Sequence, residues 1–205
     1  MLIEPHYFPV SAYFSLLLKD KILVVDDVSL FQKQSYRNRA YISGANSVLK
    51  LIVPLKAGKN NLPMREVRID NGINWARSHW QSICSAYNKS PWFEFYAENY
   101  YSLLHKPNNF LIDLDLSLIQ QLLTDLKIKT ELKFLSDGDG KSINDFRDYL
   151  HPKERRQKPV EGYFEKEYTQ VFSERFGFIK GLSVIDLLFN TGPEAKYFLT
   201  EAIRK

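Results

Sequence analysis

Short, unbroken apolar runs dominate the first quarter of the chain, and apolar residues spaced every three or four positions dominate much of the remainder. Met1-Leu2-Ile3 runs into Pro5, which predicts a brief buried strand ending in a loop. Ser11 is placed to cap a helix over 12–19 with Tyr13, Leu16 and Leu17 on one face. Lys21-Ile22-Leu23-Val24-Val25 has the composition of a strand covered on both faces, and it ends in Asp26-Asp27. Strand, helix and strand in that order predict a parallel pair joined by a right-handed crossover. Residues 48–55 read as a further strand with Pro54 near its end, and residues 66–69 as a short strand before the turn at Asp70-Asn71-Gly72.

The period then changes. Asn74 is placed to cap a helix over 75–87, Pro91 to open a second one, and Leu114, Leu118, Leu122 and Leu126 mark a third over 110–126. Residues 137–140 read as a turn, and 151–159 as a polar, mobile connection. Ser183 caps a helix over 184–189, Asn190 and Gly192 break it, and Pro193 opens a last one. The fold class expected is therefore α/β: an N-terminal strand-helix-strand unit with a small mixed sheet, followed by a largely helical C-terminal half. One domain over 1–205 is expected. It comprises an α/β part (1–72), a helical part (73–130), a polar loop region (131–162), and a strand with helices packing back (163–205).

Composition narrows the possibilities. At 205 residues and 44% hydrophobic, the chain can bury a core without staples, and its 14% aromatic content can furnish pocket walls as well as core. A net charge of +4 with a pI near 9.0 suits a small anionic ligand. Lys and Arg are too interspersed with acidic residues to indicate nucleic acid. The run Lys153-Glu154-Arg155-Arg156-Gln157-Lys158 reads as a solvated loop. The single cysteine, Cys84, reads as a buried inert thiol. It excludes an internal disulfide and a cysteine-based metal site, so a reducing, cytoplasmic compartment is expected. No apolar run approaches the roughly 20 residues a bilayer demands, and no signal peptide is visible, so no membrane span is expected.

The chemistry-bearing residues cluster early. Glu4 and His6 follow the first strand, where α/β proteins place ligand contacts. His6 could serve as a general base and Glu4 could orient it or take a proton from an amine. Equally, His6 could bond to backbone and Glu4 could form an ion pair. Asp26 and Asp27 end the second strand. Because adjacent strand residues face opposite ways, one of the two is expected at the site, holding a hydroxyl or a metal with substrate phosphates. Tyr7 and Tyr13 belong to the same opening segment and are expected to contact substrate. Lys33, Arg37, Asn38 and Arg39 form a basic loop suited to a diphosphate, or else a solvated one. His79, one turn from Trp75, reads as a core histidine or a ligand contact. Asp186 and Asn190 share a helix face beside Ser183, where a buried Asp186 could pair with the 37–39 loop or meet ligand. His105 and His151 sit in poor contexts for chemistry. No histidine pair has zinc-ligand spacing, and no phosphate-loop, dinucleotide or nucleophile-elbow motif occurs, so no cofactor is indicated.

Several segments in order resemble the WbqC-like family: Glu4-Pro5-His6-Tyr7-Phe8-Pro9 with Tyr13-Phe14, then Val25-Asp26-Asp27-Val28, Phe31, Lys33 and Tyr36-Arg37-Asn38-Arg39. They continue through Val53-Pro54, Trp75, His79, Tyr87 and Pro91, and end at residues 182–190 with Gly192. The chain departs from the family pattern in having Glu4 where Gln is usual, and a short polar stretch, 137–159, where longer members carry a Gly-rich segment. The resemblance implies an enzyme of bacterial surface-polysaccharide precursor metabolism, transferring an acyl or aminoacyl (glycyl) group to a nucleotide-linked amino sugar. An adenylating or nucleotidyl-transfer enzyme is the alternative, although its His-x-Gly-His signature is absent. A non-catalytic binding protein is the second.

Overall fold

The computed structural model describes residues 1–20, 22–56, 61–138, 144–153 and 156–203. Strands β1 (Leu2–Ile3) and β2 (Ile22–Val25) pair in parallel, with Leu2 opposite Val24 and Ile3 opposite Val25. Helix α1 (Ser11–Leu17) lies between them in sequence and is buried along its whole length. It starts one residue earlier than the sequence suggests, so Ser11 is in the first turn and not the cap. Val10 takes the cap position because an isolated bridge to Ser183 holds it extended.

Strands β3 (Arg39–Ile42) and β4 (Leu49–Ile52) form an antiparallel hairpin, shorter than the expected 48–55 strand. Residues 66–69 are not a strand. A 3₁₀ turn at Met64–Glu66 leads into single bridges, Leu55 to Ile69 and Arg68 to Phe110, because the segment is wedged between 54–56 and 109–111 and exchanges only a few bonds with each.

Three helices follow: α2 (Trp75–Tyr87), α3 (Phe93–His105) and α4 (Leu111–Asp125). Asn74 caps the first as predicted, its side chain accepting from the Arg77 N–H at 3.4 Å. Cys84 is half-buried, less enclosed than its sequence context suggests. Next comes β5 (Glu131–Phe134), pairing in parallel with β2 to give the order β1-β2-β5. This strand lies inside the stretch the sequence reads as polar loop. Glu131 and Lys133 alternate with Leu132 and Phe134, and four alternating residues are too few to stand out. The turn after it closes at Gly138 (φ +87°); Lys21, Asp139, Gly140, Glu154 and Arg155 lie outside the described residues.

The C-terminal part holds α5 (Ser173–Phe176), α6 (Val184–Thr191) and α7 (Ala195–Glu201). Among the described residues it carries no strand; the bridges Val10–Ser183 and Tyr163–Ile203 stand where one was expected. Ser183 caps α6 by accepting from the Ile185 N–H. Phe189 of α6 meets Tyr87, Phe93 and Tyr100 at ring separations of 5.4, 5.3 and 5.8 Å, which ties the C-terminal part to the helical layer. Gly192 ends α6 with φ +54°, and a Cβ there would lie 2.3 Å from the Trp92 ring. The architecture is thus α/β at the N-terminal end and mostly helical beyond it. Among the described residues no helix is long and apolar enough to cross a membrane.

Candidate functional site

The carboxyl ends of β1 and β2 deliver Glu4 and Asp26 to one side of the molecule. The loop between β1 and α1 turns sharply there, with buried Phe8 held at φ +43°. Glu4 is buried against Arg37: guanidinium Nη2 approaches Oε1 at 3.3 Å, and the same oxygen accepts the Asp148 N–H at 3.0 Å. Arg37 also donates to the Leu30 carbonyl. Burial outweighs the neighbouring guanidinium and raises the Glu4 pKa above the usual carboxyl value. Its second oxygen, Oε2, has no partner among the described residues.

Asp26 closes a turn by accepting from the Val28 and Ser29 N–H groups at 3.2 and 2.9 Å. Its other oxygen receives Arg147 at 3.2 Å, and Arg147 also grips Asp145 at 2.6 Å. Burial pushes the Asp26 pKa up, but the Ser29 and Arg147 bonds prevail and hold it below the usual value. Glu4, Asp26, Arg37, Asp145, Arg147, Asp148 and Lys158 line one cleft of about 640 Å³.

Other residues expected at a site are placed elsewhere. Asp27 points the opposite way and accepts the Ser136 N–H at 3.0 Å, as strand alternation demands. His6 is sealed between the rings of Tyr13 and Tyr36, at 5.3 and 5.5 Å, and lies outside the cleft lining. Burial lowers its pKa to about 3, helped by the positive Arg37. The Tyr7 hydroxyl bonds His79 Nδ1 at 2.9 Å deep in the core, and burial lowers the His79 pKa to about 4. Tyr13 is fully buried, with no hydroxyl partner among the described residues. Asn38 clamps Val53: its side chain donates to the Val53 carbonyl, and its own carbonyl accepts the Val53 N–H. Arg39 is half-buried at the start of β3, and Lys33 is exposed. Asp186 does not pair with the 37–39 loop: Tyr87 and Tyr168 each donate a hydroxyl to it at 2.8 Å, which supplies what a buried carboxyl needs without a charge. Asn190 bonds the Asp186 carbonyl and extends the helix's own bonding.

A second cavity, of about 520 Å³, lies on the far side of the same stretches of chain. Consecutive residues divide between the two, with Tyr36 and Leu150 in the cavity and Arg37 and Tyr149 in the cleft. Tyr41, His151, Tyr163 and Glu165 complete much of its wall. Glu165 accepts the Gly181 N–H at 2.7 Å through one oxygen, and its other oxygen has no partner among the described residues. Burial, aided by Asp186 and opposed by the Gly181 N–H and Lys180, raises its pKa to about 7. His151, which the sequence places in an unpromising polar run, is buried. Its Nδ1 accepts the Lys153 N–H and its Nε2 is unpartnered among the described residues. Sequence reasoning missed Asp145, Arg147, Asp148, His151 and Glu165. The dense charge in Asp145-Phe146-Arg147-Asp148 was the available signal, and nothing local distinguishes Glu165. Among the described residues no group of three His, Cys, Asp or Glu side chains is arranged to hold a metal ion.

Comparison with known proteins gives two findings. The model of the WbqC-like protein family matches residues 4–150. The chain is also 25% identical over 226 residues to Uncharacterized protein Rv1507c of Mycobacterium tuberculosis (strain ATCC 25618 / H37Rv), covering 97% of this chain and 96% of that protein. No solved structure matches.

Proposed function

The chain belongs to the WbqC-like protein family, and from that premise we propose that the Glu4 cleft is its working site, where an acyl or aminoacyl group is transferred to a nucleotide-linked amino sugar. The observation that carries this reading is the meeting of Glu4, Asp26 and Arg37, from three separate segments, with Arg147 in one cleft at the carboxyl ends of two parallel strands. All four lie within the matched segment.

The cleft mixes signs, with Glu4, Asp26, Asp145 and Asp148 beside Arg37, Arg147 and Lys158. That arrangement favours a molecule bearing both an amine and an anionic group over a simple polyanion. Arg147, partly exposed, and Lys158, exposed, are placed to meet phosphate. Glu4, with a raised pKa and one oxygen without a partner among the described residues, suits a general base toward the amine. The N–C bond forms as the donor's acyl carbon parts from its leaving oxygen or sulfur, and Glu4 takes the amine proton and returns it to that leaving atom. Arg37 holds Glu4 in place.

A thermal-shift panel of UDP-, GDP- and dTDP-linked sugars, with and without amino groups, tests the reading. Amino-sugar nucleotides should raise the melting temperature of the wild type and leave Arg147→Ala unmoved. Glu4→Gln should keep binding and lose transfer. No shift with any of these compounds overturns the proposal, and a shift with ATP and Mg²⁺ coupled to pyrophosphate exchange redirects it to adenylyl transfer.

A further inference from the structure

The second cavity leaves more unbonded among the described residues than the cleft, where Glu4 Oε2 is such an atom. Ser11 and His151 are 4% and 5% exposed, yet Ser11 Oγ and His151 Nε2 have no partner among the described residues, and the same holds for Glu165 Oε1. Buried polar atoms left without partners cost stability, and native proteins retain them where something else completes the bonds. All three residues line one space, and the aromatic side chains of Tyr36, Tyr41 and Tyr163 line much of the rest.

We propose that this cavity is a separate binding site for an uncharged, hydroxyl-rich ring, a monosaccharide unit. A sugar hydroxyl both donates and accepts, which suits a carboxyl group, a neutral imidazole and a serine hydroxyl among the lining residues. Flat, rigid tyrosine faces supply apolar contact at little entropic cost, and each ring carries a hydroxyl as well. The Glu165 carboxyl, raised to about 7, is present in both protonation states near neutral pH and so can donate or accept. His151 is held toward its neutral form by burial and by Arg156. Lys180, exposed, is the cation on the lining, and it stands near a carboxyl that is partly ionised near neutral pH, so charge selects the ligand less sharply here than among the several acids and bases of the cleft. The volume falls within the range of small-molecule sites, about 300–1,000 Å³. His151, Tyr163 and Glu165 lie beyond the segment matched by the family model, so family membership assigns them nothing. Sugar binding in the cavity is independent of the cleft's chemistry.

Saturation-transfer NMR with free N-acetylglucosamine, galactose and rhamnose tests it on the full chain. At least one of the three should receive transfer from the wild type. Its apparent affinity should fall at least tenfold in Glu165→Gln and in Val48→Trp, the latter filling the mouth from a position 39% exposed and so sparing the core. Arg147→Ala should bind the sugar as the wild type does. Absence of transfer to the wild type from all three sugars overturns the proposal, as does transfer surviving both Glu165→Gln and Val48→Trp in variants with unchanged near-ultraviolet circular dichroism. Loss in Arg147→Ala with retention in those two would place the sugar in the cleft. That result ends the second site while supporting the first.

Discussion

The cleft and the cavity stand back to back on the same stretches of chain and handle polar groups in opposite ways. In the cleft, Arg37 answers Glu4, and Arg147 answers Asp26 and Asp145, so most of the charge is matched internally. In the cavity, three lining residues, a glutamate, a histidine and a serine, each keep a buried polar atom with no partner among the described residues. Pairing fixes side chains in place before any ligand arrives, whereas unpaired groups remain available to one. The first arrangement resists mutation poorly and the second tolerates it, which gives the contrast measurable consequences.

The largest effect is expected at Arg37. Arg37→Ala leaves Glu4 buried beside no cation and should cost about 3 kcal/mol in urea unfolding at pH 7. Adding Glu4→Gln to that variant should recover much of the loss. A cost below about 1 kcal/mol would mean the pair does not hold the cleft together.

Glu165 should come next, through pH. Its folded pKa of about 7 exceeds the ordinary 4.5, so the folded chain binds more protons between those values. This stabilising contribution is complete below pH 4.5 and disappears as pH rises through 7. Its size is on the order of 2 kcal/mol after allowance for partial exposure. Glu165→Gln should lack that fall when stability is followed by denaturation across the interval, and an unchanged profile would remove the carboxyl from the cavity's account.

A smaller change is expected at Arg147, whose side chain is 35% exposed. Arg147→Ala should cost about 1 kcal/mol, because Asp26 keeps the Val28 and Ser29 bonds and solvent screens the rest. Smallest of all is a spectroscopic constancy. The imidazole carbon shifts of His6 and His79 should stay those of the neutral ring between pH 8 and pH 5, given pKa values lowered to about 3 and about 4. Movement of either in that range would show that solvent reaches it.

The parts of the fold carried by long periodic segments were readable: the β1-α1-β2 opening, the Asn74 and Ser183 caps, and the helix with leucines at 114, 118 and 122. Short pieces were not, because four residues of β5 carry no periodicity strong enough to mark them against a polar background. The cleft was half legible. Glu4 and Asp26 announce themselves by following strands, while Arg147 is brought beside them by tertiary contact across 121 residues. His6 shows why residue type misleads. The same position that suits a base also lies under two tyrosine rings, and burial, which sequence spacing does not reveal, decides its protonation. Asp186 likewise found neutral tyrosine donors in place of the arginine its burial suggested.

The pairing of β2 with β5 bears on how the chain is made. Ile22 to Val25 leave the ribosome long before Glu131 to Phe134 exist, and at about 5–20 residues per second the wait is on the order of ten seconds. Throughout that time the open edge of an apolar strand is exposed to other nascent chains. Translation halted between α4 and β5 should therefore yield aggregates, and the growing polypeptide is an expected client for ribosome-associated chaperones until its last parallel partner emerges.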